Sequence, residues 1–109
     1  MKPDTIDLTS ENLDDKKIVA LSKLLIKDVP LIRRLILRRN KFGDEGAEAL
    51  ADMIKEKLQR FVYLDMSRNE VTDKGARKIL EALKINTRVK TLFIDYGNQI
   101  KDKKILADI

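Results

Sequence analysis

With 109 residues the chain has length for one domain and one core, and 43% apolar with 38% charged residues is the balance of a surface-rich soluble fold. It has neither cysteine nor histidine, which removes disulfides, thiol–imidazole and Ser-His-Asp catalysis, and ordinary zinc sites. Lysine and arginine number 23 against 18 acidic residues, so the net charge of +5 is diluted by carboxylates.

The opening MKPDTIDLTSEN lacks the apolar run of a secretory signal, and no stretch approaches the roughly 20 apolar residues that span a bilayer. Ile6 and Leu8 have strand spacing, and Asp14 and Asp15 open a helix whose apolar positions include Ile18, Leu21 and Leu25. LILRRN (35–40) predicts a second strand and turn, and GAEALADMIKEKL (46–58) has apolar residues at helical spacing. LDMSRN (64–69) and GARKILEALKI (75–85) repeat the pair, and LFIDYGN (92–98) begins it a fourth time. KDKKILADI (101–109) predicts a turn of helix, with Ile105, Leu106 and Ile109 covering the last unit. Acidic residues at 14–15, 44–45 and 73 suit the positive ends of their helix dipoles, and Thr72 is a candidate N-cap. Pro3 discourages strand pairing beyond the first unit.

These units are one unit repeated. Shifted by 29 residues, Leu35 falls on Leu64, Asn40 on Asn69, Phe42 on Val71, Asp44 on Asp73, Gly46 on Gly75 and Ala47 on Ala76. Ile6, Leu8, Asp15 and Ile18 hold the same columns upstream, while Asn98, Ile100 and Asp102 hold them downstream. Leu92 and Ile94 match with a one-residue slip. A single domain over 1–109 follows, with repeats at about 5–33, 34–62 and 63–90 and a partial one at 91–109.

The stretches LxLxxN-x-F-G-DEGAEALADMI and LxMxxN-x-V-TDKGARKILEAL resemble ribonuclease-inhibitor-type leucine-rich repeats. The resemblance implies an α/β solenoid, with a parallel sheet of about four strands on the concave face and about three helices on the convex face. The first unit departs from the pattern, with Glu11 in the asparagine column and Lys17 in the helix glycine column. The asparagines are expected to satisfy turn backbone groups, and Gly46 and Gly75 to admit the neighbouring unit.

Strand residues between the buried leucines face away from the core. Four columns result: Thr5, Arg34, Tyr63 and Thr91; Asp7, Ile36, Asp65 and Phe93; Thr9, Arg38, Ser67 and Asp95; and Ser10, Arg39, Arg68 and Tyr96. Arginine and tyrosine dominate interface energies. The candidate partner-binding set is therefore Arg34, Ile36, Arg38, Arg39, Tyr63, Asp65, Arg68, Phe93, Asp95 and Tyr96. Glutamate at both Arg38 and Arg39 is expected to abolish binding and leave the fold intact. Lysines alternating with Glu48, Asp52, Glu56 and Glu81 read as a solvated outer face.

The expected function is a cytoplasmic protein–protein interaction module without catalysis, cofactor, metal or membrane contact. Its expected partner is a protein with an acidic or mixed surface. Uncapped ends leave homo-oligomers open. The alternatives are RNA binding through Arg33, Arg34, Arg38 and Arg39, and a regulatory fragment of a GTPase activator or sensor. Asp65 and Asp95 interrupt the basic surface and count against the nucleic-acid alternative.

Overall fold

The structure, a computed structural model, describes residues 4–108, so Pro3 and Ile109 lie outside it. Four three-residue strands alternate with four helices: β1 (Thr5–Asp7), α1 (Asp15–Asp28), β2 (Arg34–Ile36), α2 (Asp44–Lys55), β3 (Tyr63–Asp65), α3 (Asp73–Ile85), β4 (Thr91–Phe93) and α4 (Lys103–Asp108). The strands form one parallel sheet in chain order. Ile6, Leu35, Leu64 and Leu92 stand in register across it. Each unit alone exposes its strand leucines and its helix face. Stacking buries both in a core that includes Leu35, Leu37, Phe42, Leu50, Ile54, Leu64, Met66 and Ile79. None of the helices among the described residues is long and apolar enough to cross a membrane.

The asparagine columns behave as expected. The Asn40 amide donates to the carbonyls of Leu8, Leu37 and Arg38, while its Oδ1 accepts from the N–H groups of Glu11 and Leu13. Asn69 donates to Leu37, Met66 and Ser67. Each side chain thus ties its own turn to the preceding one, where backbone groups would otherwise be buried unpaired.

The acidic residues at the helix starts do something the dipole argument did not anticipate. The Asp15 carboxylate on α1 accepts from Gly43 N and Gly46 N at the start of α2, at 2.9 and 2.7 Å. Asp44 on α2 accepts from Thr72 N, Gly75 N and the Thr72 hydroxyl at the start of α3. Asp73 in turn accepts from Lys101 N and Asp102 N. α2 and α3 are therefore each capped by the unit before them, and Asp73 holds the turn that leads into α4. Thr72 holds the N-cap position of α3 but gives its hydroxyl to Asp44 instead of capping its own helix.

The helix glycines make this approach possible. A Cβ on Gly46 would stand 2.9 Å from Phe42 and 3.0 Å from Asp15 Oδ1. Lys17 can occupy that column because α1 is capped from within, by Asp14 accepting its amide at 3.0 Å. At the other end the turn of helix expected in KDKKILADI is present as α4, a short fourth helix beside the three longer ones. Ile105 is buried as foreseen, whereas Leu106 stays 40% exposed. Arg77 on α3 pairs with Asp102 at 3.1 Å. On the outer face the Lys55–Asp52 pair is loose, at 4.0 Å.

Candidate functional site

A concave depression of about 340 Å³ opens on the sheet side, lined by Arg38, Arg39, Tyr63, Asp65, Ser67, Arg68, Phe93 and Tyr96. Seven of the ten candidate residues meet there. Arg34 is exposed at the start of β2, Ile36 is half-buried at its end, and Asp95 is exposed beyond β4, and none of the three lines the depression.

Alternation along β3 predicts an exposed Asp65. The structure buries it to 1% exposure. Its Oδ1 accepts from Ser67 N and the Ser67 hydroxyl at 3.0 and 2.7 Å, and its Oδ2 accepts from Arg38 Nε and Nη2 at 3.0 and 2.8 Å. A carboxylate with both oxygens engaged this way tolerates burial, which an unpaired one does not. Asp65 also holds the Arg38 guanidinium in its charged form, raising its pKa through hydrogen bonding first and charge second. The same two-residue motif occurs at Asp7, whose Oδ1 accepts from the N–H and hydroxyl of Thr9. Those bonds lower the Asp7 pKa against a small opposing effect of burial. The signal lay in the sequence: Asp-x-Thr and Asp-x-Ser recur at the same repeat position, and Ser67 is the site residue the candidate set lacked.

The aromatic wall comes from two adjacent strands. Tyr63 and Phe93 pack edge to face, with centroids 5.7 Å apart at 61°. Opposite them, the Arg68 guanidinium lies 4.6 Å from the Tyr96 ring centroid, and its Nη2 donates to the Tyr96 hydroxyl at 3.0 Å. Tyr96 owes its place to the register slip. Arg39 and Arg68 turn the chain at φ +59° and +55°, and Gly97 does so in the fourth unit at φ +76°. Arg68 N donates to the Tyr96 carbonyl at 2.8 Å as Arg39 N does to that of Ser67, so Tyr96 takes the place of Ser67 and Asp95 is the extra residue of that turn. Only glycine fits position 97, since its φ is left-handed and a Cβ would meet Arg68 Cγ at 2.6 Å. Tyr96 is 64% exposed at this position, where Ser67 is buried.

No group of three or more acidic residues able to hold a metal ion occurs among the described residues.

Two units match the family described as Leucine Rich repeat, over residues 30–51 and 61–80. Together with the parallel sheet and outer helices, this makes the fold a leucine-rich-repeat solenoid. Among similar proteins are Protein CARMIL of Dictyostelium discoideum, 33% identical over 88 residues, and RAN GTPase-activating protein 2 of Arabidopsis thaliana, 34% identical over 74 residues. The matches cover 81% and 68% of this chain but only 8% and 13% of those proteins. A solved structure of Leiomodin-1 Actin-Binding Site 2 superposes with a TM-score of 0.82 at 20% identity, over 96% of this chain and 62% of that one. That likeness shows the fold.

Proposed function

We propose that the chain is a protein-interaction module that binds through its concave sheet. The carrying observation is the depression itself, where three arginines and three aromatic side chains converge on one face. Arginine and tyrosine are enriched among residues that carry binding energy. Phe93, 44% exposed, and Tyr96 add apolar area that a solvated face does not need. The 29-residue spacing and the outer helices support the ribonuclease-inhibitor type of repeat. The Arabidopsis relative is named as a GTPase activator, and this chain corresponds to a small part of it. The present segment supplies a surface, and chemistry would come from elsewhere.

The test is affinity capture from lysate with nuclease treatment, comparing wild type with the Arg39→Glu, Arg68→Glu double variant. Arg38 is left intact because Asp65 depends on it. A protein held by wild type and lost by the variant supports the concave face. Capture that disappears with nuclease favours RNA, and equal capture by both proteins moves the surface elsewhere.

A further inference from the structure

We infer that the depression takes an acidic segment of a partner protein that carries an aromatic side chain beside its carboxylates. This rests on the concave-face reading and adds the chemistry of the occupant. Three guanidinium groups and one carboxylate line the depression. That carboxylate, on Asp65, spends one oxygen on Ser67 and the other on Arg38, so it offers nothing to an incoming cation. Arg39 and Arg68 have no carboxylate within ion-pair distance among the described residues. The cavity is therefore left cationic, and charge complementarity selects an acidic occupant.

The walls select the second feature. Tyr63 and Phe93 meet edge to face and leave ring surface open, and the face of a further aromatic ring packs well against such a pair. Arg68, held over Tyr96, has lost much of its rotamer freedom before any partner arrives, which reduces the entropy cost of binding. At about 340 Å³ the depression lies at the small end of ligand sites, suited to one large side chain and its neighbours. A nucleic-acid strand fits less well than one short acidic segment held within the depression, because it would run on past exposed Asp7 and Asp95, which lie outside the lining.

The chain has two tyrosines, both at the depression, and no tryptophan, so tyrosine emission reports on this site alone. The probe is an acetylated, amidated pentapeptide of phenylalanine with two glutamates on either side. It should change the emission saturably, with a midpoint below about 1 mM. Alanine in place of phenylalanine should weaken it at least about fivefold. Arg39→Ala and Arg68→Ala, checked for unchanged melting, should each weaken it about tenfold. The assignment is overturned by no saturable response, by equal binding of the alanine peptide, or by equal binding of a lysine-flanked peptide or a uridine oligonucleotide. If lysate capture still requires Arg39 and Arg68 in any of those cases, the concave-face reading survives and only this occupant is wrong.

Discussion

Asp44 Oδ1 accepts the Gly75 N–H at 3.1 Å, and a methyl group on Gly75 would stand 2.6 Å from that same oxygen. One short approach between neighbouring helices thus explains both repeated columns. The aspartate needs the glycine in order to reach the amide. The amide, like any in the first turn of a helix, has no partner within its own helix.

Removing the carboxylate should therefore behave as loss of a cap in the neighbouring unit. Asp44→Ala is expected to cost about 1–2 kcal/mol, measured by urea unfolding at neutral pH. The Asp44 pKa is lowered: burial opposes the charged form, but hydrogen bonds from the Thr72 hydroxyl, Thr72 N and Gly75 N, with Lys74 nearby, outweigh it. A lowered folded-state value contributes stability above the unfolded value of about 3.9, and that contribution is lost as pH falls through the folded one. Wild type and Asp44→Ala should consequently converge in stability as the pH is taken below about 4.

Gly75→Ala should be destabilising by about 1–3 kcal/mol although alanine is the better helix former. The added carbon would meet Val71 Cγ1 at 2.9 Å and Ala47 Cβ at 3.0 Å as well as Asp44. Thermal melting checks it, and a variant as stable as wild type would mean that α2 and α3 can separate without loss.

Asp65→Ala should cost about 1–3 kcal/mol through the orphaned Ser67 N–H and lost packing. Arg38→Glu should melt well below Arg39→Glu, because it sets a second carboxylate beside a buried one while Arg39 has no such partner. This revises the expectation that the Arg38, Arg39 double substitution leaves the fold intact.

Asn69→Ala should be among the most damaging substitutions in the turns, at about 2 kcal/mol or more by chemical denaturation. Its amide serves the carbonyls of Leu37, Met66 and Ser67 in a buried setting. Glu11→Ala, in the same column of the first unit but exposed, should be nearly neutral.

The solenoid was legible because its columns carry physical demands that only a few residue types meet. Leu35, Leu64 and Leu92 had to be apolar, Asn40 and Asn69 had to donate to turn carbonyls, and Gly46 and Gly75 had to lack a Cβ. Seven of ten candidate site residues lie together for the same reason, since strand alternation sorts side chains onto faces. Alternation fails at Asp65 because it describes direction and not depth. Arg38 and Ser67 cover a side chain that does point away from the core. The reach of Asp15 and Asp44 into the next helix was hidden because the dipole argument treats a helix in isolation.

Capping by the preceding unit gives the stack a direction. A ribosome releases the chain N-terminus first, so Asp15 can already be presented on α1 when Gly43 and Gly46 emerge, and Asp44 likewise before Thr72 and Gly75. Trimming from the two ends should then be unequal. Loss of the first unit strips α2 of its acceptor, while loss of the last leaves every remaining helix start with the carboxylate it had. Growth of the fold during synthesis follows the same order as its stabilisation, each turn of the spiral docking onto a template that was made before it.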